Sequence, residues 1–107
     1  MTRIPPERAR SMGEVRAAVD SIDAEIVALL AERMRFMDAA ARIKPVREAV
    51  RDEARKAEVI ARVKAIAVAH GLSPELVETL WEQLVEASIA HELATWDRLR
   101  RPARRHG

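Results

Sequence analysis

The sequence predicts an all-α protein with three helices, of which the first is the longest. Alanine, leucine, valine, arginine and glutamate dominate its 107 residues, glycine occurs three times and tyrosine is absent, a composition typical of helical proteins. Residues 12–44 carry one unbroken apolar stripe at helical spacing. Two later segments open with helix-start signals and carry similar stripes.

The first helix is predicted over residues 12–44. Ser11 is placed to cap it, Glu14 completes a capping box, and Pro45 ends it. Its stripe alternates steps of four and three residues, which is typical of a helix that buries one side against other helices. The apolar positions of this stripe are Val15, Val19, Ile22, Ile26, Leu29, Met37 and Ala40. Arg33 and Lys44 occupy positions in the same stripe.

A charged loop over residues 45–51 should precede the second helix. Asp52 is the candidate N-cap, the helix is predicted over residues 53–70, and Gly71 follows as the residue that ends it. The predicted buried stripe consists of Val59, Ile60, Val63, Ile66 and Ala67.

The third helix should begin at Ser73 and Pro74, an N-cap serine with proline at the first helical position, and end at Leu99. Its apolar stripe comprises Val77, Leu80, Trp81, Leu84, Trp96 and Leu99. Ser88 and Glu92, one turn apart, stand in that stripe where apolar residues are expected.

These boundaries predict a loose N-terminal arm over residues 1–11, one helical domain over 12–99, and a basic disordered tail over 100–107. Cysteine is absent, which excludes disulfides, thiolate chemistry and cysteine-ligated zinc. No apolar run has the length of a membrane span, and the N-terminus lacks the apolar stretch of a secretory signal. We therefore expect a cytoplasmic protein.

The length of the first helix favours a homodimer. It would extend about 50 Å, whereas a compact chain of this size has a radius of gyration of roughly 13 Å. Arg16 and Lys44 lie about 42 Å apart along the helix, too far for one small ligand to span. If two copies pair antiparallel about Leu30, Arg16 of one arrives opposite Lys44 of the other, which would create a composite cationic site.

The stripe cations lead to two interpretations. A guanidinium on a buried face, such as that of Arg33, needs an anionic partner, which could be the Glu92 carboxylate or a ligand. Arg16 and Arg55 taken singly could be solvated charges. No histidine stands in a pattern typical of a nucleophile and its base, and no metal-ligand spacing occurs. A set of cations with one carboxyl group can bind a small dicarboxylate and stabilise charge that develops on an oxygen.

The chain resembles the all-helical (AroQ-type) chorismate mutases, and within them the branch that contains isochorismate-pyruvate lyase. The resemblance runs without a gap from about Gly13 to Trp96. The matching runs are VRAAVDSIDAEIVALLAERMRFMDAAARIK, DEARKAEVI and LVEASIAHELATW. The first run contains Arg-x-x-x-Asp-x-x-Asp, then Ala-Glu-Arg and Ile-Lys, at the family's intervals.

The resemblance implies an intertwined three-helix homodimer with two composite sites and no cofactor. Arg33 and Arg16 of the partner subunit would hold the two carboxylates of chorismate. Lys44 and Glu92 would flank the ether oxygen whose bond to the ring breaks. The residues implied to complete the substrate-binding site are Arg55, Ser88 and Asp52.

Two positions depart from the mutase pattern. Glu92 replaces a glutamine that many mutases carry beside the ether oxygen. Burial favours the protonated form of a carboxyl group, while neighbouring cations favour the ionised form. Lys56 replaces a glutamate that contacts the ring hydroxyl, and the lyase branch also lacks that acid.

Three functions follow in order. The first is conversion of chorismate to prephenate, which feeds aromatic amino-acid synthesis. The second is an isochorismate-pyruvate lyase serving salicylate or siderophore synthesis. The third, a helical dimer that binds nucleic acid through its arginine-rich ends, is disfavoured because those ends lack interleaved aromatic residues and the stripe cations would have no role.

Overall fold

A computed structural model describes residues 3–102 as three α-helices. They are α1 (Met12–Ile43), α2 (Glu53–Ala69) and α3 (Pro74–Leu99), with short 3₁₀ turns at Pro6–Arg8 and Arg47–Ala49. The all-α prediction is confirmed, since no strand occurs within residues 3–102. None of the described helices combines the length and apolar character that a membrane span requires. The outer parts of the predicted arm and tail, residues 1–2 and 103–107, lie outside the described residues.

The chain divides into two compact units, Met1–Arg35 and Phe36–Gly107. In the first unit, the predicted capping box at the start of α1 is confirmed. The Glu14 amide donates to Ser11 Oγ at 3.1 Å, and Ser11 Oγ donates to Glu14 Oε1 at 3.4 Å. The arm contacts α1, because Arg3 Nη1 lies 2.7 Å from Glu25 Oε1.

The apolar stripe of α1 within the first unit is exposed in the single chain. The exposed members are Val15, Val19, Ile22, Ile26 and Leu29. Leu29 retains 63% of its accessible surface. Each such side chain would gain about 1.5–3 kcal/mol on full burial, so this face is suited to packing against another apolar surface.

In the second unit, α2 and α3 are antiparallel, and ion pairs join them along their length. Lys56 Nζ lies 3.0 Å from Glu82 Oε2, and Lys64 Nζ lies 2.5 Å from Glu78 Oε2. A higher number on α2 therefore pairs with a lower number on α3. Beneath these pairs lies a core cluster of Val50, Val85 and Ile89, against which partly buried apolar side chains pack.

The buried stripe of α3 differs from the prediction. Val85 and Ile89 are buried, whereas the expected members Leu80 and Leu99 are about half exposed. At about 100° of rotation per residue, Leu80 falls roughly 60° outside the arc formed by the buried positions. Leu99 is the last helical residue, where fewer neighbours can cover it. On α2, Ile66 is likewise exposed.

The helix ends follow the sequence signals closely. Asp52 Oδ1 accepts from the Arg55 amide at 3.0 Å, and Ser73 Oγ accepts from the Leu76 amide at 3.2 Å. The end of α2 is a Schellman motif: the Leu72 amide donates to the Ala67 carbonyl at 2.8 Å, and Gly71 adopts a φ of 69°.

Gly71→Ala should lower the free energy of unfolding by about 1–2 kcal/mol, because a Cβ is unfavourable in the left-handed conformation. A Cβ at Gly71 would meet no atom within 4 Å, so the cost is conformational rather than steric. Gly13→Ala in the first turn of α1 is the matched control. It should leave stability unchanged or raise it by less than about 1 kcal/mol. Chemical denaturation of both variants measures the difference, and equal stabilities would contradict the prediction.

Candidate functional site

The end of α1 carries Lys44 to the third helix. Ile43 is the last helical residue, the Lys44 amide still donates to the Ala40 carbonyl at 2.9 Å, and Pro45 then prevents the helix from continuing. The Lys44 ammonium reaches α3, where Nζ lies 2.7 Å from Glu92 Oε2. Two residues that the resemblance assigns to the same ether oxygen are therefore adjacent.

This ion pair is mostly removed from water. The Glu92 side chain is 5% exposed and the Lys44 side chain 30% exposed. Although Lys44 Nζ is close, its approach falls outside hydrogen-bond angles, so Glu92 Oε2 has no hydrogen-bond donor among residues 3–102. A buried carboxylate oxygen without a donor is costly, and a ligand hydroxyl or a further cation could supply the missing bond.

Ser88 lies one turn before Glu92 on α3 and is also buried. Its hydroxyl donates to the Leu84 carbonyl of its own helix at 2.7 Å. To donate to a substrate carboxylate, the hydroxyl must rotate away from that carbonyl, which exchanges one hydrogen bond for another.

The Lys44 backbone is also held by α3. Trp96 Nε1 donates to the Lys44 carbonyl at 3.0 Å, and Arg100 Nη2 donates to the same oxygen at 2.7 Å. Arg100 caps the C-terminus of α3 and is the first residue of the predicted tail. Its guanidinium stacks 4.2 Å from the centre of the Trp96 ring, a cation–π contact.

Arg55 and Asp52 lie at the start of α2. Asp52 caps the helix through the Arg55 amide, and the Arg55 guanidinium forms an ion pair with Glu58 one turn later. Both Arg55 and Asp52 are exposed in the single chain. Their predicted contacts with substrate remain predictions.

Lys56 is held by two acids of α3. Its Nζ lies 2.9 Å from Glu86 Oε2 and 3.0 Å from Glu82 Oε2, and its side chain is 19% exposed. Glu86 also accepts from Arg51 at 2.7 Å. Hydrogen bonds from Arg51 and Lys56 lower the pKa of Glu86 to about 2, and those from Glu86 and Glu82 raise the pKa of Lys56. A lysine thus stands, charged and neutralised, where typical mutases carry an acid.

Arg16 and Arg33 lie on the part of α1 that belongs to the first unit. Arg16 is exposed and Arg33 is half-buried. Their predicted convergence on one substrate with Lys44 remains a prediction.

One histidine has an acid partner that the sequence pattern did not indicate. His91 Nε2 lies 2.6 Å from Asp38 Oδ1, which also accepts from Thr95 Oγ1 at 3.2 Å. The hydrogen bond from His91 and a weaker one from Thr95 lower the pKa of Asp38. Because both side chains contact the acid rather than each other, the cluster lacks the nucleophile–base contact of a catalytic triad.

Sequence reasoning missed the roles of Trp96 and Arg100. Trp96 was assigned to an apolar stripe and Arg100 to a basic tail. A usable signal exists, since Trp96 and Arg100 are four residues apart, which places a cation one helical turn from an indole that needs a hydrogen-bond partner.

The fold and the site define a small helical protein that places a cation beside a buried carboxyl group, chemistry suited to stabilising charge. Residues 15–93 match the family described as chorismate mutase type II, and the chain belongs to that family. It is therefore an enzyme of the chorismate mutase family. It is also 32% identical to the isochorismate pyruvate lyase of Pseudomonas aeruginosa over 95 residues, which cover 89% of this chain and 94% of that protein.

Removing the charge of Lys44 should destabilise the protein by leaving Glu92 buried without its counter-charge. We expect Lys44→Met to lower the free energy of unfolding by about 1–3 kcal/mol. Combining it with Glu92→Gln should restore part of the loss, because a neutral amide needs no cation. Urea denaturation of the single and double variants provides the comparison. A double variant no more stable than Lys44→Met would show that the charge pair does not cause the loss.

The Glu86 network should make stability depend on pH. Because folding lowers the pKa of Glu86 from 4.5 to about 2, its stabilising contribution is fully present above pH 4.5 and is lost as pH falls through about 2. Glu86→Gln should therefore lower Tm at pH 7, and the difference from wild type should shrink as pH falls across this range. Glu48→Gln, an exposed acid on the 3₁₀ turn, controls for the loss of one negative charge. A difference that stays constant with pH would contradict the assignment.

Proposed function

We propose that this protein converts chorismate to prephenate by a pericyclic rearrangement, as a homodimer with two composite sites. The observation that carries the proposal is the buried Lys44–Glu92 pair at the end of α1, with a carboxylate oxygen that lacks a hydrogen-bond donor. Membership of the chorismate mutase type II family supports the same reaction class.

The reaction requires little chemical machinery. The ether bond to the ring breaks while a carbon–carbon bond forms within the same molecule, so no nucleophile, external base or cofactor takes part. The protein has to hold the enolpyruvyl arm over the ring and stabilise negative charge that grows on the ether oxygen. In the proposed site, Arg33 and Arg16 of the partner subunit hold the carboxylates, and Lys44 faces the ether oxygen.

Glu92 has two possible functions in this scheme, depending on its protonation. A protonated Glu92 donates a hydrogen bond to the ether oxygen beside Lys44. An ionised Glu92 instead orients the Lys44 ammonium, which then stabilises the developing charge alone. Ser88, buried one turn away, completes the pocket when its hydroxyl turns toward a substrate carboxylate.

The exposed apolar stripe of α1 supports the homodimer. Its members Val19, Ile26 and Leu29 are close to half exposed or more in the single chain, and a second copy of the same helix, packed antiparallel, would bury them. The self-complementary face of a twofold dimer is the simplest way to cover such a stripe. The same packing would bring Arg16 of one chain to Lys44 of the other.

The second candidate is the lyase reaction on isochorismate. Two observations favour it: the relative from Pseudomonas aeruginosa bears that activity in its name, and Lys56 occupies the position of the mutase acid. Glu82 and Glu86 hold Lys56 within the second unit, so no carboxylate is available from that position for the ring hydroxyl. This reaction is also pericyclic and would use the same cations.

Assay of both substrates separates the two candidates. The mutase consumes chorismate with formation of prephenate, whereas the lyase forms fluorescent salicylate from isochorismate. In either case Arg33→Ala should reduce kcat/KM at least about 100-fold, because a buried cation that holds a carboxylate is removed. Circular dichroism should show that the helices persist. A fully active Arg33→Ala variant would contradict the proposed site.

Mixed dimers test whether Arg16 acts across the subunit interface. Arg16→Ala and Lys44→Ala should each be inactive as pure dimers. A heterodimer of the two retains one site with both residues intact, so refolding an equal mixture should recover about a quarter of wild-type activity. Either variant refolded alone is the control. No recovery from the mixture would show that both residues serve the same chain's site.

A further inference from the structure

We propose that Arg100, together with Trp96, is a positioning residue that fixes the catalytic ammonium of Lys44. The inference rests on the proposed function, because it concerns how the active lysine is held. Arg100 belongs to the arginine-rich C-terminal segment, to which the reaction assigns no role.

Lys44 stands at a point where a helix would ordinarily fray. It follows Ile43, the last residue of α1, and precedes Pro45, which has no amide proton to continue the hydrogen bonding. The last carbonyl groups of a helix have no partner within it. A lysine at such an end has four flexible side-chain torsions beyond a mobile backbone, and a small displacement of its ammonium costs much of its electrostatic effect.

Arg100 supplies the missing donors for this helix end. Nη1 donates to the Ala41 carbonyl at 2.9 Å, and Nη2 donates to the Lys44 carbonyl at 2.7 Å, with a longer contact of 3.4 Å to the Arg42 carbonyl. One planar guanidinium therefore closes the last turn of α1. Its positive charge also lies at the negative end of the helix dipole, which stabilises it there.

Trp96 holds Arg100 and the same carbonyl. The indole ring lies under the guanidinium at 4.2 Å, and Nε1 donates to the Lys44 carbonyl at 3.0 Å. The Lys44 carbonyl thus receives two donors from α3, while its amide is held by Ala40. The backbone of the lysine is fixed on both sides.

Successive turns of α3 contact the two ends of Lys44. Glu92 meets the ammonium, and Trp96 and Arg100, four and eight residues later, meet the carbonyl. The three side chains follow the i, i+4 spacing that places neighbours on consecutive turns. Because one rigid helix holds both ends, the vector from the Lys44 carbonyl to its ammonium is set by α3.

Arg100 is not suited to bind substrate itself. Both terminal nitrogens of its guanidinium already donate to backbone carbonyls of the second unit, so a substrate carboxylate would have to displace those bonds. A role through Lys44 agrees better with the geometry than direct contact with the reacting atoms.

Arg100→Ala should reduce kcat roughly 10- to 100-fold while KM changes less than about threefold, because substrate-binding cations remain and the ammonium is displaced. Arg100→Lys keeps one donor for the Lys44 carbonyl and should recover part of kcat. Arg101→Ala, which removes the same charge one residue later, is the matched control and should remain within about twofold of wild type. Trp96→Phe, which keeps the ring but loses the Nε1 donor, should lower kcat several-fold and provides a second variant if Arg100→Ala does not fold.

A second readout needs no substrate. Hydrogen exchange of the Lys44 amide should be at least about tenfold faster in Arg100→Ala than in wild type or Arg101→Ala, because the last turn of α1 loses its cap. Unchanged exchange, or a kcat no lower than that of Arg101→Ala, would overturn the inference. If wild type turns over neither chorismate nor isochorismate, the proposed function fails, while the exchange result still decides whether Arg100 fixes Lys44.

Discussion

A carboxyl group buried at the centre of α3 sets the requirements for the second unit of this protein. Glu92 can lie there only if a cation accompanies it, since an isolated buried carboxylate is strongly unfavourable. The cation is Lys44, 2.7 Å away. Its position in turn depends on where α1 stops, and therefore on Pro45 and on the donors that satisfy the last carbonyl groups of that helix. Electrostatics and helix termination are thus coupled at one point of the fold.

The two halves of α3 divide the structural and chemical tasks. Its N-terminal half pairs with α2 through Glu78, Glu82 and Glu86, which meet Lys64, Lys56 and Arg51. Exposed pairs of this kind contribute little individually, but their order along the helices selects the antiparallel register. The C-terminal half carries Glu92, Trp96 and Arg100, which contact the end of α1. The α2–α3 pairing therefore fixes the helix from which the reactive lysine is held.

The network around Lys56 bears on the choice of substrate. Replacing an acid with lysine would add an uncompensated charge to a cationic site, which Glu82 and Glu86 prevent by binding the ammonium. The result is a site that keeps its anion-binding character without offering a carboxylate to a ring hydroxyl. Both candidate reactions need cations for two carboxylates and an ether oxygen, so one arrangement of residues suits either, and the ring contacts distinguish them.

Local chemistry in the sequence was sufficient to predict the helices and their ends. Capping residues at Ser11, Asp52 and Ser73, Pro45 as a stop, and Gly71 in a left-handed conformation each act through neighbours a few residues away, and each was found as predicted. The polar positions at Ser88 and Glu92 were visible for the same reason, as interruptions of a periodic pattern. Contacts between distant segments were not visible. The partners of Lys56, the acid beside His91 and the closure of α1 by Arg100 join residues thirty to sixty positions apart, and such pairings depend on how the helices pack, which periodicity alone does not specify.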